Sequence, residues 1–279
     1  MSSEVAQGTV AEPLDAAAAS VGVQSLVRGL AVIRAFDAEH PEMTLTEVAG
    51  VTGLTRATAR RFLLTLCDLG YVRTDGKSFS LTVRVLELGY SYLSGLRLPD
   101  LVLPHLERLA SEVEESTSAS VLDGTDIVYI ARVPTRRIMS IRISIGTRFP
   151  AYATSMGRVL LAALPPGEVE RRYADEPMPR RTDRTITSVP LLMEELERTR
   201  ERGWSLTDQE LELGLRSMAM PLTDAKGRTI AAVNVSSHVS SGDLACFRTL
   251  VEAPLGTAVA DIDEELRRTA SVSRFMISR

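Results

Sequence analysis

The sequence predicts an α+β fold in two parts, and three observations carry that prediction. The chain has 279 residues, more than one average domain needs and enough for two. Its pattern changes at Pro99: short helical stretches and one hairpin precede it, and amphipathic stretches alternate with strand-like ones after it. Several of the strand-like pairs meet at Asp-Gly or Gly-containing turns, which favours antiparallel neighbours.

The elements follow in order. Residues 1–21, opening "MSSEVAQGTVAEPLDAAAAS", carry three acids, no Lys or Arg and no continuous apolar run. They are expected to be a disordered leader rather than a secretory signal. "VQSLVRGLAVIRAF" spaces Leu26, Leu30, Ile33 and Phe36 helically, with Ser25 as the expected cap. "TLTEVAGVTGL" gives a short helix: Thr44 and Glu47 have capping-box spacing, and Gly53 permits the left-handed stop. Thr55 caps a third helix of about 56–69, whose apolar side gathers Ala59, Phe62, Leu63, Leu66 and Leu69. "YVRTDGKSFSL" reads as a hairpin turning at Asp75-Gly76. Three helices followed by a hairpin make a winged helix-turn-helix over 22–82. "VRVLELGYSYLSGL" then gives a linker helix, 83–98.

A second domain is expected over 99–271, with 272–279 as a tail. "LVLPHLERLASEVEES" is an amphipathic helix that tolerates Pro104 in its first turn. "SASVLDGTDIVYIARV" gives two strands around Asp123-Gly124, and "IMSIRI" another. Helices follow at "TSMGRVLLAAL", "PPGEVERRYA" and "SVPLLMEELERTRERG", the last with Ser188 as N-cap and Gly203 as its stop. "WSLTD", "RSMAMPLT" and "RTIAAVNVS" are strands. Residues 244–269 are helical, with Pro254 as a break or kink.

Composition narrows the function. At 44% hydrophobic and 24% charged, the chain resembles an ordinary globular protein. No run of about 18 apolar residues occurs, so no membrane partner is expected. Cys67 and Cys246 lie far apart and outside any C-x-x-C pair, which fits two small apolar side chains in a reducing cytoplasm. His40, His105 and His238 have no metal-ligand spacing. Nucleophile-elbow, Walker A and dinucleotide motifs are missing. No enzyme activity, catalytic residue, metal or cofactor is expected.

Charge points elsewhere. The net charge is −4, yet residues 55–84 hold six bases against two acids. Arg56, Arg60 and Arg61 open the third helix. A recognition helix enters the major groove N-terminus first. Arg can fork onto guanine, and Thr or Ala can touch thymine methyl groups. Thr55, Arg56, Ala57, Thr58 and Arg60 therefore have the right types to read bases. Arg61, Arg73 and Lys77 suit phosphates, which position without specifying. An Arg-rich helix alone would be read as a solvated face. The capped helix and Gly turn before it and the wing after it favour double-stranded DNA. The competing function is a metabolite-binding protein or enzyme whose winged module contacts protein rather than DNA.

"SLVRGLAVIRAF", "TLTEVAGVTGLTRATARRFLLTLCDLGYV", "YATSMGRVLLAAL", "DQELELGLRSMAMPL" and "AAVNVSS" together resemble the IclR family of bacterial transcription regulators, over about 23–269. "VLDGTDIVYIARVPTRRIM" and "GTRFPAYATSMGR" look like the branch containing PcaR, PcaU and PobR, which regulates catabolism of protocatechuate, 4-hydroxybenzoate and β-ketoadipate. The resemblance implies a GAF-like effector domain that binds a small carboxylate. It also implies a homodimer or dimer of dimers on a palindromic operator. Carried over by position, the effector site falls on Ser155, Met156, Asp208, Ser217, Asn234 and Ser236. Some relatives have Gly-Ala where this chain has Ser155-Met156, and Cys where it has Ser217.

A helix start at Ser155 would offer N–H groups and a positive dipole end to a carboxylate. Ser155 and Ser217 add hydroxyls, and Asn234 adds an amide. Asp208 suits an anion only if it accepts from a hydroxyl or pairs with a cation. Ser217, Asn234 and Ser236 also fit ordinary polarity on a strand surface. Arg136, Arg137, Arg142 and Arg148 crowd one region. One of them could fork onto the effector carboxylate, or all could be surface charges and salt bridges.

Overall fold

The computed structural model describes residues 23–37, 39–88, 98–135 and 143–277, with side chains described to 268. The chain divides into two compact units, Met1–Gly95 and Leu96–Arg279.

In the first unit, α1 (Gln24–Arg34), α2 (Leu45–Thr52) and α3 (Arg56–Asp68) surround a core of Val32, Phe36, Met43, Val48, Ala59, Leu63 and Leu66. The capping box at α2 is formed. Thr44 Oγ1 accepts from the Glu47 N–H, and Glu47 accepts from the Thr44 N–H at 2.7 Å. Gly53 stops the helix at φ +65°, a conformation a Cβ would oppose. Two expectations need correction. Ser25 lies inside α1 because Val23 takes the cap position, with no side-chain cap bond. Leu69 falls just past α3 and is 51% exposed, because the helix has ended before its side chain could turn inward.

The hairpin forms from β2 (Val72–Thr74) and β3 (Ser78–Leu81). A further strand, β1 (Glu42–Thr44), pairs with β3 to make a three-stranded sheet. Three residues are too few for a strand period, and β1 exists because β3 offers it an edge. After a 3₁₀ turn at Val83–Val85, most of the expected linker helix lies outside the described residues.

The second unit is an antiparallel six-stranded sheet with helices on both faces. Its strands are β4 (Ser116–Asp123), β5 (Asp126–Val133), β6 (Arg148–Pro150), β7 (Ser205–Asp208), β8 (Leu215–Thr223) and β9 (Thr229–His238). Their spatial order is β6-β5-β4-β9-β8-β7. One face packs Met218, Val233 and Val235 against α4 (Leu98–Val113) and α8 (Leu244–Ile277). The other packs Ile127, Tyr129, Ala219 and Ala232 against α5 (Ser155–Ala162), α6 (Pro166–Arg172) and α7 (Val189–Arg202). Pro104 is the seventh residue of α4, not part of its first turn. It is exposed there, on the side where helix carbonyls can tilt toward water. α8 runs through Pro254 without breaking. The expected strand "IMSIRI" lies outside the described residues except for Ile143.

Candidate functional site

Two surfaces carry the residues singled out by the sequence. The first is the start of α3. Thr55 caps it by accepting from the Thr58 N–H, and the Thr55 hydroxyl donates to Thr58 Oγ1 at 2.9 Å. Those hydroxyls hold each other, while Arg56, Ala57, Arg60 and Arg61 are exposed. Ala59, Leu63 and Leu66 anchor the opposite side. None of Arg56, Arg60, Arg61 and Lys77 forms an ion pair with a described residue, so their N–H groups stay available to an external anion. Arg73 donates to Ser80 Oγ at 3.0 Å across the wing. The wing tip is fixed by Asp75, whose carboxylate accepts from the Lys77 and Ser78 N–H groups at 2.8 Å each. Those bonds hold its pKa below the ordinary aspartate range. They also present Lys77 outward.

The second surface is a cavity between the sheet and α5. Pairing builds it. Thr207 faces Ser217 across β7–β8, and Ser217 faces Ser236 across β8–β9. Asn234 shares their face two residues along β9. Ser155 and Ser217 hydroxyls lie 2.7 Å apart, and Asn234 Nδ2 donates to Ser217 Oγ at 2.8 Å and Ser236 Oγ at 2.9 Å. The Ser120 hydroxyl contacts Met156 Sδ at 3.2 Å and fixes that side chain. Five of the six expected positions, Ser155, Met156, Ser217, Asn234 and Ser236, line this cavity, and Asp208 does not. Strand alternation explains the exception. Thr207 turns inward, so Asp208 turns to the other face, where Arg216 (2.9 Å) and Arg184 hold it.

Tyr129, Thr207, Leu211 and Leu215 also line the cavity, and nothing local in the sequence marks them. No charged side chain does so among the described residues. Burial pushes the Tyr129 phenol up to about 12, so it remains a neutral hydrogen-bonding group at physiological pH. Asn234 is 3% exposed and its Oδ1 has no partner. The opposite amide orientation would strand two N–H donors instead of one acceptor, so the arrangement seen is the cheaper one. The cavity volume is ≈ 20 Å³, room for about one water.

Two further features shape this wall. Gly157 sits where a Cβ would overlap the Ala151 backbone, so the start of α5 can pack this closely only with glycine there. Arg158 is 1% exposed. It donates through Nε to the Tyr152 carbonyl at 2.9 Å and forks onto Glu210, with Nη1 to Oε1 at 2.8 Å. Thr182 and Thr185 hydroxyls donate to the Gln209 and Glu210 carbonyls at 2.7 Å. The loop that places Leu211 in the cavity is thus tied down on both sides. Arg148, one of the four crowded arginines, is engaged by Asp123 and Asp126. Arg136, Arg137 and Arg142 lie outside the described residues. Among the described residues no cluster of potential metal ligands occurs, and no helix is long and apolar enough to cross a membrane.

Comparison with known proteins agrees with both halves of this layout. Residues 25–76 match the IclR helix-turn-helix domain, and residues 90–263 match the C-terminal domain of IclR bacterial transcriptional regulators. The Pca regulon regulatory protein of Pseudomonas putida is 43% identical over 216 residues, 77% of this chain and 74% of that one. The crystal structure of a candidate transcriptional regulator from Rhodococcus sp. RHA1 is 53% identical, with TM-score 0.79, covering 89% of this chain and 100% of that one. An IclR homolog from Microbacterium hydrocarbonoxydans, solved in complex with 4-hydroxybenzoate, is 25% identical with TM-score 0.78, covering 88% and 99%. With a helix-turn-helix and wing in one unit and a sheet-and-helix domain in the other, the chain belongs to the IclR family of bacterial transcription regulators.

Proposed function

We propose that this regulator controls aromatic-acid catabolism by binding an operator through α3 and the wing, and a small carboxylate effector in the cavity at the start of α5. The observation that carries the reading is the cavity's chemistry. It has neutral hydroxyls, a helix N-terminus suited to a carboxylate, and one buried acceptor, Asn234 Oδ1, in need of a donor. A hydroxybenzoate supplies both ends, a carboxylate and a phenolic hydroxyl. The P. putida relative's Pca regulon and the 4-hydroxybenzoate bound to the Microbacterium homolog support the same class.

The remaining parts of the reading belong together. The compact units serve as the DNA-binding domain (22–82) and the effector-binding domain (99–271), joined by a linker over 83–98. Exposed apolar side chains on the first unit, among them Val23, Leu26, Val83 and Leu86, support self-association. The reading includes a homodimer or dimer of dimers on a palindromic operator, as the family resemblance implies. The protein acts in the cytoplasm, without catalysis or cofactor.

The test is operator binding in the presence of 4-hydroxybenzoate, protocatechuate and β-ketoadipate. At least one should change affinity for the protein's own upstream DNA. Indifference to all three at saturating concentration would remove the aromatic-acid assignment. Binding absent even at low salt would remove the DNA assignment.

Two substitutions sharpen these roles. Arg56→Ala or Arg60→Ala should cost about 1–3 kcal/mol on the operator and relax its sequence preference. Lys77→Ala should weaken specific and random DNA alike and flatten the salt dependence. Gel shifts on both DNAs across a salt series separate the two; equal losses for all three variants would reject the division. In the cavity, Asn234→Leu should weaken 4-hydroxybenzoate about tenfold or more while changing benzoate little, because only the former loses a partner. Calorimetry with both acids reads the difference, and parallel losses would exclude the hydroxyl contact.

A further inference from the structure

A second cavity of the second unit, larger than the one at α5, lies elsewhere among the described residues. It is an open cleft of ≈ 590 Å³, within the range of about 300–1,000 Å³ typical of small-molecule sites. α7, β7 and the first turns of α8 border it, and the Arg158–Glu210 pair forms part of its wall. Ile186, Trp204, Leu206 and Leu244 give it an apolar side, and Leu244 is 41% exposed. The indole is held in place: Arg202 stacks on it at 4.3 Å and donates to the Trp204 carbonyl at 2.7 Å.

The charges at this cleft do not balance. Glu195 is shared by Arg198 (3.0 Å) and Arg202 (2.5 Å). Asp208 is shared by Arg184 and Arg216. Arg198, Asp208 and Arg216 stand outside the lining, which itself holds four arginines, Arg158, Arg184, Arg202 and Arg248, against two glutamates, Glu195 and Glu210. Arg248, at the start of α8, reaches Glu252 only at 3.5 Å and is 57% exposed. Arg184 is 55% exposed and commits one nitrogen to Asp208. Both guanidiniums retain N–H groups for an incoming anion in fork geometry.

We propose that this cleft is a second small-molecule site, which takes an organic carboxylate with an apolar body. Its acid group is received by Arg184 and Arg248, and its body lies against Trp204, Leu206 and Leu244. The proposal does not depend on the α5 cavity taking a ligand. The Arg158–Glu210 pair lines only the cleft, but it anchors the loop that carries Leu211 into the α5 cavity, so a ligand at one site that shifts this pair would alter affinity at the other, by the same factor in each direction.

Trp204 is the only tryptophan in the chain, so its fluorescence reports on the cleft directly. The full-length protein is titrated with benzoate and with 4-hydroxybenzoate at fixed ionic strength, with sodium sulfate as the control anion. A saturable fluorescence change with the aromatic acids is expected, and none with sulfate. The double variant Arg184→Ala/Arg248→Ala changes two half-exposed side chains and should fold, and it should shift the midpoint about tenfold or more. Asn234→Leu, which weakens 4-hydroxybenzoate in the inner cavity about tenfold or more, should leave the fluorescence midpoint for 4-hydroxybenzoate within about threefold. The proposal is overturned by no saturable change in the unaltered protein, by a response that sulfate reproduces, or by a midpoint indifferent to the arginine changes. Loss of the signal in a folded Asn234→Leu protein would assign it to the inner cavity and equally reject the cleft.

Discussion

Replacing Glu210 by alanine is expected to destabilise the second unit by about 3–5 kcal/mol, the usual cost of breaking one side of a buried ion pair. The loss comes less from the attraction removed than from what remains. Arg158 is 1% exposed, and its fork has no other acceptor within its bonds except the Tyr152 carbonyl at Nε. A guanidinium stays ionised at any physiological pH, so it cannot shed the problem by losing a proton. It must instead draw in water or push α5 aside. The loop around Leu211 would lose its anchor to Arg158 as well, keeping the Thr182 and Thr185 bonds. Denaturant unfolding followed by Trp204 fluorescence isolates this unit, because no other tryptophan contributes. A companion variant, Arg158→Met/Glu210→Leu, should recover most of the loss by removing both charges. A decrease under about 1 kcal/mol in Glu210→Ala would mean that water already reaches the pair.

Gly157→Ala is the second large effect. The added methyl would overlap the backbone carbonyl, Cα and carbonyl carbon of Ala151, none of which can rotate away. Overpacking of a core costs about 1–3 kcal/mol where side chains can adjust, and here they cannot. The relief available is a shift of the first turn of α5, which carries Thr154, Ser155 and Met156 off the cavity. Melting temperature should fall, and effector-dependent operator binding should vanish even where the protein remains folded. A variant with ordinary melting and an intact response would show that Ala151 can give way.

What could be read in advance was local. The Thr44–Glu47 capping box, the Gly53 stop, the Thr55 cap and the Asp75-Gly76 turn each act within a few residues, and each is present as its spacing implies. Those signals were enough to assemble the helix-turn-helix and wing. The cavity depended on pairing between distant strands. Its seryl positions were legible through family likeness, but Asp208 was carried over on sequence position alone. Only the Thr207–Ser217 register shows that its side chain belongs to the opposite face. Tyr129 and Leu211 reach the cavity from strand and loop positions whose local sequence is unremarkable. The Arg158–Glu210 pair joins residues 52 apart, and no periodicity announces it. The strand β1 was missed for a similar reason, since its partner supplies most of its definition.

The small size of the cavity also bears on time. An engineered protein cavity of about 150 Å³ holds a single benzene ring, whereas this one measures ≈ 20 Å³. An aromatic acid therefore cannot enter the arrangement seen; the loop bearing Leu211 or the start of α5 must first move. Motions of this kind occur over microseconds to milliseconds. Association would then be governed by how often the wall opens rather than by diffusion. Rapid-mixing traces should show an observed rate that rises with ligand and then levels off at the opening rate. Loosening the Glu210 anchorage should raise that plateau. On the proposed function, the buried ion pair that anchors this loop would also set how quickly the effector is admitted.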